Sequence, residues 1–204
     1  MKKILIILSL LNFFACNSIA GQKPSLPKKT TTFFWEGASI YFLLTDRFNN
    51  GDTSNDFSYN RIQDAAKLRG FQGGDLKGIT QKIKEGYFTE LGINAIWMTP
   101  IVEQIHAGTD EGTGKSYGYH GYWTKDWTAI DRNFGNKEDL KELITAAHKR
   151  GIRILLDAVI NHTGPVTKED PVWPTDWVRE SPQCNYATYK NTVSCTLVKN
   201  LPDI

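Results

Sequence analysis

The sequence predicts an α/β fold built on a parallel sheet, because strand-like and helix-like segments alternate along it. Three short apolar runs, at residues 39–44, 93–98 and 152–160, have the length of buried strands. Residues 79–91 and 136–150 lie between these runs and carry apolar side chains at helical spacing.

The third run closes with three polar residues, Asp157, Asn161 and His162. In a barrel of parallel strands, the carboxyl ends of the strands are where chemistry is done. An acid in an apolar strand is also costly unless a polar partner meets it. The alternative interpretation is a strand end that turns into an ordinary loop.

The boundaries of the remaining elements follow from turn and capping residues. The first helix is predicted to end at Gly92, and a long loop over residues 102–127 follows the second strand. The second helix is predicted to begin at Asn136 and to end at Gly151. Residues 164–203 show no clear period, so we expect a small domain inserted after the third strand.

Residues 1–20 have the pattern of a secretory signal peptide. Two lysines precede an apolar stretch too short to span a bilayer comfortably, and small residues precede position 21. The alternative is a lipoprotein signal in which Cys16 is lipidated and attaches the protein to a membrane. In either case we expect export, to the periplasm or the medium. Residues 21–37 are rich in Pro, Lys and Thr and are predicted to be a linker.

Charge and cysteine content narrow the class of partner. Cleavage after residue 20 removes two lysines and no acid, so the formal net charge falls from +2 to zero. No basic excess is then left to attract nucleic acid.

Cys184 and Cys195 remain as an even pair in an oxidising compartment, which predicts a disulfide, with two free thiols as the alternative.

A polar loop follows the first strand and crowds oxygen-bearing side chains together. Asn50, Asp52, Asn55 and Asp56 lie within seven residues. Ca²⁺ takes ~6–8 hard oxygen ligands and suits such a set. The alternative is a solvated turn, since Asn, Asp and Gly favour turns in any case.

Four motifs in the same order resemble the N-terminal part of an α-amylase family glycoside hydrolase. They are the segments 41–56, 118–123 (Gly-Tyr-His-Gly-Tyr-Trp), 157–162 (Asp-Ala-Val-Ile-Asn-His) and 201–204 (Leu-Pro-Asp-Ile). The likeness runs from about residue 38 to 204. It resembles bacterial periplasmic α-amylases most and is also similar to cyclodextrin glucanotransferases.

The resemblance implies the N-terminal portion of a TIM (β/α)8 barrel, with about the first three strands and a small B domain inserted after strand 3. Residues 38–160 would form the first β/α units of the barrel. Residues 161–204 would begin the calcium-binding B domain, and the remainder of the barrel would be absent.

The resemblance also assigns roles to individual residues. His120 would hydrogen-bond the sugar in the subsite before the scissile bond, Tyr122 would stack under its ring, and His162 would contact the same sugar. Asp157 would support the hydrogen-bond network of the site. On their own, without the resemblance, residues 118–123 favour the interpretation of aromatic core packing in a Gly-rich turn.

Two calcium sites are implied in the same way. Asn161 and Asp203 would bind the first calcium and join the barrel to the inserted domain. The second would be completed from a Gly-Gly-Asp segment, and its full ligand set would be Asn50, Asp52, Asn55, Asp56, the Gly73 carbonyl and Asp75. Both ions would be structural.

The resemblance implies retaining endo-hydrolysis of α-1,4-glucosidic bonds in starch, glycogen or maltodextrins by a monomer. The family places its nucleophile, acid and stabiliser after later strands, beyond Ile204, so we expect no catalytic residue in this chain and no activity from it alone. One alternative is a transglycosylase that makes cyclodextrins, although residues 108–116 resemble periplasmic α-amylases. The other is a non-catalytic glucan-binding protein.

Overall fold

The fold is taken from a computed structural model that describes residues 32–110, 112–171, 178–197 and 201–204. The predicted signal peptide, Cys16 and most of the predicted linker lie outside the described residues. The helices and strands, apart from two short 3-10 turns, are β1 (Ile40–Leu43), α1 (Thr45–Phe48), α2 (Leu76–Glu85), α3 (Tyr87–Glu90), β2 (Ala95–Met98), β3 (Val102–Gln104), β4 (Thr109–Asp110), β5 (Lys115–Ser116), β6 (Thr124–Ile130), α4 (Lys137–Lys149) and β7 (Arg153–Leu156).

A three-stranded parallel sheet in the order β1-β2-β7 confirms the predicted α/β fold. Tyr41, Ile96 and Ile154 share one register position, so their side chains lie on the same face. The third strand is shorter than predicted, because residues 157–160 have already left the sheet. Asp157 is therefore the first residue after β7.

The hydrophobic core lies between one face of this sheet and helices α2 and α4. Ile79 and Ile83 of α2 and Leu143 of α4 are fully buried, as is Ile96 of β2. Burying an aliphatic side chain of this size contributes ~1.5–3 kcal/mol. Helix periodicity therefore fixes which face of each helix meets the sheet.

The capping residues account for where the helices begin and end. Asn136 caps α4 as predicted, in a reciprocal pair with Asp139. The prediction of one helix ending at Gly92 is wrong, because Gly86 adopts φ 95° and separates α2 from α3. Only glycine takes this left-handed conformation without cost, and its N–H bonds carbonyls of the preceding turn.

The prediction of an irregular loop over residues 102–127 is also wrong. β3 pairs antiparallel with β6, and β4 pairs with β5. These strands are mostly two or three residues long and largely polar, so they lack the alternation that marks a strand in sequence. The antiparallel pairing of β3 with β6, called the β3–β6 hairpin below, carries residues 118–123 back toward the end of β2.

The segment after β7 folds back on itself through short backbone bridges. Asp203 pairs with both His162 and Arg179, and Cys184 and Cys195 form the predicted disulfide. Within the described part of the chain, no helix has the length and apolar character needed to cross a bilayer.

Candidate functional site

The predicted site residues meet at the carboxyl ends of the three parallel strands. Asp157 follows β7 directly, and the turn of residues 118–121 packs on Pro100, just beyond β2. Gly121 has φ 89°, and a Cβ at this position would lie 2.3 Å from the Pro100 carbonyl oxygen. Glycine is therefore required for the turn to sit against the strand end. This contact places Tyr122 beside Asp157, and His120 next to Tyr122.

Tyr122 is the centre of the hydrogen-bond network. Its hydroxyl donates to Asp157 Oδ2 at 2.8 Å, and its carbonyl oxygen accepts from His162 Nε2 at 3.2 Å. Its backbone N–H donates to His120 Nδ1 at 3.0 Å. The four residues predicted to bind sugar are thus joined into one constellation, although they come from segments about 40 residues apart.

The His120 imidazole is held neutral. Burial lowers its pKa from 6.5 to about 4, with further contributions from the charge of Arg47 and from His162. Because Nδ1 accepts the Tyr122 N–H, the ring proton lies on Nε2, which can donate to a ligand hydroxyl. The rings of His120 and Tyr122 are nearly parallel, at 18°, with centroids 6.0 Å apart.

His162 also has a fixed tautomer. Its Nε2 must carry the proton because its partner is a carbonyl oxygen, and its Nδ1 is buried without a hydrogen-bond partner in the described structure. Burial lowers the pKa of His162. Tyr122 is held in its neutral form too, since burial and the bond to Asp157 raise its pKa to about 12.

This site is suited to a neutral, hydroxyl-rich ligand. It combines an imidazole donor, a carboxylate acceptor and the flat faces of aromatic rings. Trp123 is 5% exposed, which makes its side chain a packing residue, and its backbone N–H donates to Gln104 Oε1 at 2.7 Å.

The residues predicted for the second calcium are brought together around Asp75. The Asp75 carboxylate accepts from the backbone N–H of Gly51 at 3.1 Å, from that of Asp52 at 2.9 Å and from Asn55 Nδ2 at 3.0 Å. Asn50 Nδ2 donates to Asp56 Oδ1 at 2.8 Å. The loop is therefore closed into a compact set of oxygens.

Two observations test whether these residues fit a cation. Asn55 Oδ1 is buried without a hydrogen-bond partner among the described residues. A Cβ on Gly73 would fall 2.3 Å from Asn50 Nδ2 and 2.6 Å from Asp56 Oδ1, so the Gly73 backbone lies directly against the ligand side chains. Both fit calcium, whose ligands include amide and backbone oxygens.

Other features of this loop weigh against a metal. Within the described structure, no group of three or more His, Cys, Asp and Glu residues is arranged to hold one. The Lys77 ammonium lies 2.5 Å from Asp52 Oδ2 and lowers the pKa of that carboxyl to about 2. A cation would have to share Asp52 with this lysine.

The pair predicted for the first calcium, Asn161 and Asp203, lies on two adjoining backbone segments. The Ile204 N–H donates to the Asn161 carbonyl oxygen at 3.1 Å. The Asp203 carboxylate is buried and pairs with Arg179 at 3.0 Å. These two side chains supply only part of the ~6–8 oxygens that calcium takes.

Sequence reasoning missed two arginines that organise the site's surroundings. Arg61 forms a buried, bidentate ion pair with Asp131, with distances of 2.8 and 2.7 Å. The guanidinium of Arg47 lies over the ring of Tyr119, next to His120. Arg61, a charged residue in a polar loop, gives no sequence signal of burial, because its partner lies 70 residues away.

Parallel strands with a polar site at their carboxyl ends place the chain in the class of α/β proteins, whose ligand sites lie at that end of the sheet. The chain belongs to the α-amylase family: a sequence model described as "Alpha amylase, catalytic domain" matches residues 42–191. The architecture is the N-terminal portion of the family's TIM barrel, with the small inserted domain after the third parallel strand.

Relatives and solved structures agree with this assignment. The chain is 51% identical to the periplasmic α-amylase of Escherichia coli K12, over 68% of this chain and 21% of that protein. It is 39% identical to a cyclomaltodextrin glucanotransferase of Thermoanaerobacterium thermosulfurigenes, over 66% and 19%. The α-amylase of Geobacillus thermoleovorans, solved with acarbose, matches with a TM-score of 0.62 and 35% identity, over 85% and 34%. The chain thus spans about a fifth of the length of these curated relatives.

Proposed function

We propose that this chain supplies the sugar-binding side of a retaining endo-hydrolase of α-1,4-glucans such as starch, glycogen and maltodextrins. The observation that carries the proposal is the joining of His120, Tyr122, Asp157 and His162 at the strand ends. Membership of the α-amylase family supports it, as does the likeness to an α-amylase solved with acarbose.

Each of these residues has a task that its geometry allows. The Nε2–H of His120 would donate to a sugar hydroxyl, and the ring of Tyr122 would meet the sugar's C–H face. Asp157 orients Tyr122 by accepting its hydroxyl proton. His162 holds the same residue by donating from Nε2 to its carbonyl oxygen.

We assign no catalytic residue to this chain. Retaining hydrolysis needs a nucleophile and an acid ~5–5.5 Å apart on either side of the bond. Asp157 is committed to Tyr122 and acts as a support. We therefore expect the 204 residues alone to bind glucan without cleaving it.

Calcium would contribute structure. The second calcium would be held by Asn50, Asp52, Asn55, Asp56, Gly73 and Asp75. The first calcium would have Asn161 and Asp203 among its ligands. A bound cation would supply the charge that keeps these oxygens together. Export is supported by the Cys184–Cys195 disulfide and by the periplasmic relative.

The alternative activity is transfer that forms cyclodextrins, which the similarity to cyclomaltodextrin glucanotransferases favours. A product assay on a longer protein that contains this chain would distinguish linear malto-oligosaccharides from rings.

Calorimetric titration of the chain with maltoheptaose tests the proposal. Binding should weaken about tenfold or more in Tyr122→Ala, while Tyr189→Ala, an exposed tyrosine of the disulfide loop, should bind as the parent does. Equal affinities for parent and Tyr122→Ala would overturn the site assignment. Release of reducing sugar from starch by this chain would overturn the claim that it lacks the catalytic pair.

A further inference from the structure

Arg47 connects the end of β1 to the segment that carries Leu68 and Gly70. It lies in α1, and its Nη2 donates to the Leu68 carbonyl oxygen at 2.8 Å and to the Gly70 carbonyl oxygen at 3.0 Å. Its other terminal nitrogen lies against the buried carboxylate of Asp46 but makes no hydrogen bond among the described residues. The guanidinium is therefore held by the two carbonyl bonds of Nη2.

The same guanidinium lies face-on to an aromatic ring of the candidate site. The Arg47 Cζ is 3.9 Å from the centroid of the Tyr119 ring, well within the ~6 Å at which a cation is attracted to a ring face. Tyr119 in turn meets His120 edge-on, with centroids 5.1 Å apart. A continuous line of contacts thus runs from β1 through Arg47 and Tyr119 to the imidazole.

We propose that Arg47 is a positioning residue of the glucan site, which holds Tyr119 and, through it, His120 in the orientation that sugar binding requires. The inference rests on the proposed function of His120 as a hydroxyl donor. It assigns a task to a residue that touches neither the sugar nor the scissile bond.

The positive charge of Arg47 has a second effect on the same imidazole. After burial, it is the largest cause of the lowered pKa of His120. The titratable groups near this ring include His162, Tyr119 and Tyr122, with Asp157 behind Tyr122, and the uncharged ring of Trp123 meets it edge-on. A second proton on His120 would occupy Nδ1 and break the bond from the Tyr122 N–H, so a neutral ring preserves the network.

Two substitutions separate the charge of Arg47 from its shape. Arg47→Met removes both, while Arg47→Lys keeps the charge but loses the planar guanidinium that covers the Tyr119 ring. Arg132→Met is the matched control, because Arg132 lies over the ring of Tyr59, 5.1 Å from its centroid, instead of over Tyr119. All are made in the whole chain.

The pKa of His120 is measured by NMR titration of its ring protons, assigned with a His120→Asn variant. We expect Arg47→Met to raise this pKa toward 6.5, and Arg47→Lys and Arg132→Met to leave it low. Maltoheptaose binding should weaken about tenfold in both Arg47 variants, which corresponds to ~1.4 kcal/mol. Arg132→Met should bind as the parent does.

A His120 pKa and ring-proton shifts that do not change in Arg47→Met would overturn the proposal. If that variant does not fold, Tyr119→Leu replaces it, since it removes the ring through which Arg47 acts and should weaken maltoheptaose binding by a similar factor. A parent chain that does not bind maltoheptaose would refute the proposed function, whereas the NMR titration would still decide the role of Arg47.

Discussion

The buried ion pair between Arg61 and Asp131 is expected to be the most sensitive point of the fold outside the hydrophobic core. Arg61 is 7% exposed and Asp131 is fully buried. Arg61 also donates to the carbonyl oxygens of Gln104 and Ile105, at 2.9 and 3.1 Å. The pair thus ties the segment that follows the polar loop after β1 to β3 and to the segment before α4.

The cost of breaking the pair depends on which partner is removed. Removing one member of a buried ion pair costs ~3–5 kcal/mol, because the other charge stays buried. In Arg61→Met, Asp131 keeps the N–H donors of Gln104 and Asn133, both at 2.9 Å, so we expect about 3 kcal/mol. Asp131→Leu leaves a buried cation and two N–H groups without an acceptor, so we expect about 5 kcal/mol.

Urea unfolding of the whole chain measures these losses. With a slope of ~2 kcal/mol per M, the midpoint should fall by about 1.5 M in Arg61→Met and about 2.5 M in Asp131→Leu. The double variant should lose less than the two single losses together. Lys84→Met, which breaks an exposed pair with Glu142, should leave the midpoint unchanged. A loss below ~1 kcal/mol in Arg61→Met would refute the reasoning, because it is the value of an exposed pair.

Three further predictions concern the loops and the site. Calcium at a hundred times its Kd should stabilise the chain by about 2.7 kcal/mol in urea unfolding. Asn55→Ala should reduce this gain, while the control Asn191→Ala should not. An unfolding midpoint that does not change with calcium would contradict the ligand set. Replacing Cys184 and Cys195, 11 residues apart, with serine should cost about 3 kcal/mol in urea unfolding, and unchanged stability would count against the cross-link as a structural element. Because the folded-state pKa of His120 is about 4 and its ordinary value is 6.5, the unfolded chain binds the extra proton first, so stability should fall as pH falls from 6.5 to 4. His120→Asn should flatten that part of the pH profile, whereas the exposed His148→Asn should not, and coincident profiles for parent and His120→Asn would contradict the assignment.

Features decided by neighbouring residues could be predicted from the sequence. The start of α4 is set by Asn136 and Asp139, three residues apart, and the three parallel strands are set by short apolar runs. The break at Gly86 could not be predicted, since apolar spacing continues through it and glycine alone does not reveal its φ. The β3–β6 hairpin was missed because long-range pairing stabilises strands that have little propensity of their own.

The residues of the candidate site also fall into two groups, those that sequence motifs predict and those that only the structure reveals. His120, Tyr122, Asp157 and His162 were named from motifs, and the structure joins them. Arg61 could not be named, because its partners lie 43 to 72 residues away in the sequence. Long-range ion pairs of this kind leave no periodicity, and they decide how the named residues are held.

The sheet buries its two faces unequally. Tyr41, Ile96 and Ile154 face the helices and belong to the core. On the opposite face, Phe42 and Trp97 pack edge to face, 5.0 Å apart, yet remain 51% and 40% exposed. In a closed barrel, layers of side chains fill this interior. In the described residues, therefore, the strand ends that we propose as the sugar site are held by one packed face, by Arg47 and by Arg61, and substitutions of these two arginines should disturb the site although neither belongs to the network of His120, Tyr122, Asp157 and His162.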